Sequence, residues 1–247
     1  MKLPALLLAL FCCVVVSAQP ILIHAHNDYQ QPQPLTKALQ NQVYSLEADV
    51  YLVNDTLKVA HEAKELPAAP ALSSLYIQPL VQLFAEHHNR VSAADNYAPV
   101  LMIDIKENAA AVIPALVKLL SPYPQVFNRQ INPLAVQIVL SGERGPLQTW
   151  TTWPAFIQFD GRPEEQYDAP TLERVAFISD AYLRYTRPAD SLEVKLYQLA
   201  LRTHKLGKKL RVWGIPDTEP SWENMHGLGV DIINTDKVAE CRKYFGK

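Results

Sequence analysis

The chain is expected to fold as one α/β domain, a (β/α)8 TIM barrel over residues 19–247, behind an N-terminal signal peptide of residues 1–18. Three observations predict this. Strand-like and helix-like segments alternate eight times along the chain, the order a barrel requires. The strand-like segments are near-continuous apolar runs, as in parallel sheets buried on both faces; Pro99 to Lys106 is the clearest. No Gly-rich turn follows the first strand, where a dinucleotide-binding sheet would carry one; it runs instead into His26-Asn27-Asp28-Tyr29. Alternation alone also fits an open doubly wound sheet.

The first strand is Ile21 to His26, followed by a short helix from Pro34 to Gln40 with Pro34 near its first turn. Ser45 to Leu52 is the second strand, and Thr56 to Ala60 a small hairpin leading to His61. The spacing of Leu75, Pro79, Leu80, Leu83 and Phe84 predicts a helix over 75–88, with His87 and His88 solvated at its end. After the third strand, Pro99 to Lys106, an Ala/Val/Leu-rich helix over 109–120 is closed by Pro122 and Pro124. The fourth strand is 135–140, the fifth 156–159 ending at Asp160, and the sixth 175–178. Leu192 to His204 has the strongest helical pattern, ended by Gly207. The seventh strand is 210–215, a helix over 219–228 is entered through Pro220, the eighth strand is 230–236, and a helix over 237–244 closes the chain. No internal repeat or linker divides residues 19–247.

Hydrophobic residues make up 49% of the chain and charged residues 19%, enough for a sizeable core. The net charge of -2 and the lack of a long basic run argue against a nucleic-acid partner. Met1-Lys2, the apolar run Leu3 to Val16 and the small residues before Gln19 form a signal-peptide pattern, so a secreted or periplasmic protein is expected. The run is shorter than the ~20 residues of a spanning helix, so no stable membrane span is expected. Phe11 before Cys12 does not suit lipoprotein processing. Cleavage would remove Cys12 and Cys13 and leave Cys241 alone, so the core rather than a disulfide must supply stability.

Glu47 and Asp49 interrupt the second strand two positions apart, which puts both on one face. Two carboxylates so close raise each other's pKa unless a cation sits between them, so a metal site is expected. His24/His26 and Asp104/Lys106 repeat the spacing on the first and third strands. If the three strands are neighbours, all three pairs emerge at the carboxyl-terminal rim where barrel enzymes act. His61 can fold back over that rim. Glu47, Asp49 and Asp104 are oxygen donors suited to Mg2+ or Ca2+. Two histidines can divide proton removal and proton donation, and Lys106 can hold a phosphate oxygen, which points to phosphodiester cleavage. The plainer readings are an exposed edge for Glu47 and Asp49, a packed imidazole for His24, and packing in the barrel mouth for Trp213. Asp160, Arg162 and Asp236 lie at strand ends that could touch substrate.

His-Ala-His-Asn-Asp-Tyr at 24–29, Leu-Glu-Ala-Asp-Val-Tyr at 46–51, His61-Glu62, Ile103-Asp104-Ile105-Lys106, Val212-Trp213 and Gly229-Val230-Asp231 through Asp236 resemble the phospholipase-C-like phosphodiesterase superfamily. Within it the chain is similar to the glycerophosphodiester phosphodiesterase branch, closest to a sub-branch with the His-x-His-Asn-Asp-Tyr opening. The resemblance implies a metal-dependent barrel cleaving a small, glycerol-based or lipid-derived phosphodiester. By it His26 and His61 are the acid/base pair, Glu47, Asp49 and Asp104 hold one Mg2+ or Ca2+, and Lys106 contacts phosphate. His24, Asn27, Asp160 and Trp213 are candidate substrate contacts. Asn27 stands where the family usually has Arg, and it brings no positive charge. A phosphatidylinositol phospholipase C-like or cyclising activity is the alternative, and an inactive barrel serving as a binding module ranks below it. A glycoside hydrolase is disfavoured because sugar cleavage needs carboxylates on opposite sides of a bond. A monomer is expected.

Overall fold

Residues 21–94, 96–187 and 191–246 are described in the computed structural model; the expected signal peptide, residues 1–18, lies outside them. The strands are β1 (Leu22–Ala25), β2 (Ser45–Val53), β3 (Thr56–Val59), β4 (Val100–Ile105), β5 (Gln137–Gly142), β6 (Ile157–Gly161), β7 (Val175–Ala181), β8 (Leu210–Trp213) and β9 (Ile232–Thr235). All but β3 are parallel, and β1 pairs with both β2 and β9, which closes the eight into a barrel. β3 is antiparallel to β2. Its turn is Asn54-Asp55, with φ of 48° and 59°, the left-handed pair a tight hairpin needs and Asn and Asp tolerate.

The helices are α1 (Thr36–Gln40), α2 (Gln78–Glu86), α3 (Ala109–Leu120), α4 (Pro124–Phe127), α5 (Ala169–Glu173), α6 (Leu192–Lys205), α7 (Glu219–Gly227) and α8 (Val238–Phe245). The helix expected over 75–88 begins instead as a π turn, Ser73–Ile77, and α2 ends at Glu86. Pro79 cannot donate to the carbonyl four residues back and its ring crowds that oxygen, so a widened turn relieves the clash. α4 and α5 were not expected. Each has Pro in its first turn and five residues at most, too few for a helical repeat to show.

Alternation sorts the strand residues into two shells. Ile23, Leu46, Ala48, Leu101, Ile103, Leu140, Val212 and Ile233 face outward into the large core under the helices. The other parity faces the lumen and changes character along the axis. At the base Val100, Met102, Val139, Phe177 and Ile232 form a separate apolar plug. One step up each strand come His24, Glu47, Ser141, Asp160, Ser179, Arg211 and Asn234, all buried and polar. A further step on β1, β2 and β4 leads to the rim. The barrel is thus sealed below and polar above, and the site must open at the carboxyl end.

Candidate active site at the carboxyl end of the barrel

β1, β2 and β4 are neighbours, as the repeated pairs required, and Asp49 and Asp104 are register partners across β2 and β4. Glu47, Asp49 and Asp104 offer carboxylate oxygens that all lie within 4.8 Å of one another. Asp49 is fully buried. Its Oδ2 is crowded: Lys106 Nζ at 2.6 Å, Tyr29 O–H at 2.8 Å and His61 Nδ1 at 2.9 Å. Its Oδ1 is buried with no partner. A buried carboxylate oxygen left without a donor is costly, and a hard cation is the group that would satisfy it. Gly142 keeps room beside the Asp104 carboxylate. A Cβ there would lie 2.6 Å from Asp104 Oδ1 and 2.4 Å from the Ile105 carbonyl oxygen, and its φ of +67° is itself unfavourable to other residues. The unpartnered oxygen, the grouped acids and the absent Cβ all fit a divalent cation at these residues.

Glu47 is set from below. His24 Nε2 lies 2.9 Å from its Oε2 and Arg211 Nη2 3.3 Å away, while His24 Nδ1 meets Ser45 Oγ at 2.7 Å. Arg211 Nη2 also lies 3.0 Å from His24 Nε2. His24 Nε2 sits between a guanidinium that only donates and a carboxylate that only accepts, while Nδ1 meets a hydroxyl that can do either, so both ring nitrogens are engaged. Burial, reinforced by Arg211, lowers the His24 pKa from 6.5 to about 4. Burial works against the Glu47 charge, but the His24 hydrogen bond and Arg211 outweigh it and hold Glu47 at about 2. Both groups therefore bind protons more readily when unfolded, so stability is lost as pH falls. The window for His24 runs from about 6.5 to about 4, and for Glu47 from 4.5 to about 2. Urea midpoints should fall through the upper window, and His24→Asn should flatten that fall. A wild-type midpoint level from pH 6.5 to pH 4 would contradict the lowered His24 pKa.

The two rim histidines are built alike. His26 Nδ1 lies 2.9 Å from Asp236 Oδ1, and His61 Nδ1 lies 2.9 Å from Asp49 Oδ2. A carboxylate at Nδ1 fixes the tautomer and leaves Nε2 as the nitrogen open to a substrate. Both rings line a cavity of about 300 Å3 together with Asn27, Glu47, Asp104, Lys106, Ser141, Arg162, Arg211 and Trp213. Burial pushes the Asp104 carboxyl up, and Lys106 offsets only part of this. Burial disfavours the Lys106 charge, but Asp104 and Asp49 more than compensate and raise its pKa. Asn27 has a left-handed backbone, φ 45°, which Asn tolerates better than most residues.

Two expected substrate contacts lie elsewhere. His24 is fully buried beneath Glu47 and acts as a packed, hydrogen-bonded imidazole. Asp160 is fully buried below the cavity wall, where it anchors Arg162 Nη1 at 2.6 Å and accepts from Ser141 Oγ at 3.0 Å. Arg162 lines the cavity in its place. Trp213 is 42% exposed and forms a wall of the mouth. Sequence reasoning missed Arg211, Ser141, Gly142 and the role of Tyr29. Arg211 carried a signal: a lone Arg in a strand buried on both faces needs an acid nearby.

Residues 14–143 match the model of the AIM6-like phosphodiesterase domain. The chain is 25% identical to the Altered inheritance of mitochondria protein 6 homolog of Arthroderma benhamiae, over 92% of this chain and 84% of that one. It is 26% identical to Altered inheritance of mitochondria protein 6 of Eremothecium gossypii, over 91% and 70%. In fold it is similar to a glycerophosphodiester phosphodiesterase from Parabacteroides distasonis, with TM-score 0.58, 14% identity and coverage of 92% and 96%. Another from Agrobacterium tumefaciens gives TM-score 0.55, 14% identity and coverage of 91% and 100%.

Proposed function

The chain belongs to the AIM6-like phosphodiesterase domain family, and from that premise we propose that it is a metal-dependent phosphodiesterase hydrolysing glycerophosphodiesters or related lipid-derived diesters. The observation that carries the proposal is the unpartnered Oδ1 of Asp49, set among three carboxylates, with a histidine held to the other oxygen of the same side chain. Glu47, Asp49 and Asp104 would hold one Mg2+ or Ca2+, whose chemistry when bound is to polarise phosphate oxygens and offset developing negative charge.

The remaining work falls to this chain's own residues. A diester phosphate in the cavity would have imidazoles from His26 and His61 beside it. One Nε2 takes a proton from the attacking water as its oxygen bonds to phosphorus; the other ring, protonated, donates to the alkoxide as the P–O ester bond breaks, so the products are an alcohol and a phosphate monoester. Asp236 and Asp49 hold the two rings in place. Lys106 and Arg162 supply positive charge to the non-bridging oxygens, and the Asn27 amide can donate where a cation is usual in relatives of this kind. If a hydroxyl of the substrate attacks instead, the first product is a cyclic phosphate. Export to the periplasm or the medium is part of the proposal, supported by the pattern of residues 1–18.

Release of p-nitrophenol from bis(p-nitrophenyl) phosphate tests this reading. Activity should disappear with chelator and return with added Mg2+ or Ca2+. A protein inert under both conditions would be a binding module instead. Glu47→Gln should weaken the binding of added divalent ion by at least about 10–100-fold and lower activity with it; an unchanged titration would remove Glu47 from the ligand set.

A further inference from the structure

Among the described residues seven large hydrophobic side chains are exposed, and six of them, Leu183, Val194, Tyr197, Leu201, Leu206 and Trp213, fall in the single unit from the end of β7 through α6 to β8. Scattered exposed hydrophobics need no explanation, but a concentration in one sector does. α6 buries Leu196, Leu199, Ala200 and Thr203. At 3.6 residues per turn, Val194, Tyr197 and Leu201 lie on the opposite side, so this helix carries a second apolar ridge facing solvent, at 58%, 52% and 44% exposure. Lys195, Arg202 and Lys205 flank that ridge on one side by the same rotation. At the mouth, Ala181 and Trp213 are register partners on the rim, and Leu183, 75% exposed, is two residues beyond Ala181.

Charge says what covers it. Apart from Arg211, buried in the barrel, and Arg184, paired with Asp180 and Glu164, residues 182–213 contain six Lys or Arg against two acids, in a chain whose net charge is -2. A second copy of the chain docked about a two-fold axis would set basic flank against basic flank. An anionic lipid surface instead meets both the apolar ridge and the basic flank with its complement. We propose that the β7–α6–β8 sector docks on an anionic lipid bilayer, with Trp213 and Leu183 at the edge of contact. Resting on the phosphodiesterase reading, the diester that enters the mouth there is a phospholipid headgroup still in its bilayer.

The test is co-sedimentation of the purified protein with vesicles of phosphatidylcholine alone or mixed with phosphatidylglycerol, alongside turnover of soluble bis(p-nitrophenyl) phosphate. The variant replaces Leu183, Val194, Tyr197 and Leu201 with Ser, all exposed and outside the cavity. Wild type should bind the anionic vesicles at least about tenfold more tightly than the neutral ones and release them in high salt. The variant should lose at least about tenfold in vesicle binding and keep its soluble turnover. Equal sedimentation of wild type and variant, or no wild-type binding, would overturn the proposal. So would a wild-type dimer in sedimentation velocity that the variant dissolves, since the ridge would then be an interface between copies. A wild type that binds vesicles yet is inert on the soluble and the lipid diester would refute the phosphodiesterase reading and leave the docking surface standing.

Discussion

Replacing His61 with Ala should lower turnover of bis(p-nitrophenyl) phosphate by about 10^2–10^4-fold, the usual contribution of a positioned acid or base. The fold should survive. The His61 side chain is 48% exposed, and its removal leaves the buried Asp49 Oδ2 still paired with Lys106 and Tyr29. A surface truncation of this kind changes stability by about 0.5 kcal/mol or less, so urea midpoints separate a chemical loss from an unfolded protein. A variant with the wild-type rate would show that His61 moves no proton, and the pairing of two rim imidazoles would lose its meaning.

The largest effect on stability is expected from Arg211→Ala. The Arg211 side chain is only 4% exposed, and it reaches Asn234 Oδ1 at 2.7 Å, His24 Nε2 at 3.0 Å and Glu47 Oε2 at 3.3 Å, with Asp160 Oδ2 at 4.0 Å. Removing it leaves Glu47 and Asp160 buried without the cation between them. Breaking a buried pair on one side costs about 3–5 kcal/mol, far more than an exposed substitution. Denaturant unfolding of wild type and variant at pH 7 measures this difference. A loss below about 1 kcal/mol would mean that water or a rearranged side chain already balances the two acids, and that Arg211 does not hold Glu47, the proposed metal ligand, in place.

The eight barrel strands were legible because a parallel strand buried on both faces reads as an apolar run, and because helices separate the runs. The metal-ligand candidates were legible for the complementary reason: Glu47, Asp49 and Asp104 break such runs, and a charge in a buried strand demands an explanation. Depth was not legible. His24 and His26 look equivalent in sequence, as do Asp104 and Asp160, yet His24 and Asp160 sit below the cavity while His26 and Asp104 line it. Which member of a lumen-facing series reaches the mouth depends on strand register and on the shift between Phe159 and Asp160, and neither is written in the strand itself. The supporting network was hidden by distance along the chain, since Arg211 meets residues 187 and 164 positions away. α4 and α5 were too short to show a period. The apolar ridge of α6 sits inside the strongest helical pattern, and periodicity alone does not say which apolar side of a helix faces solvent.

The central claim is that one divalent ion is held by Glu47, Asp49 and Asp104, and an anomalous difference map from crystals soaked in Mn2+ tests it most directly. The expected result is a single strong peak coordinated by Asp49 Oδ1 and by carboxylate oxygens of Glu47 and Asp104, absent from crystals of Asp49→Asn. No peak among these three residues, or one held by other side chains while Asp49 Oδ1 keeps no ligand, would contradict the claim.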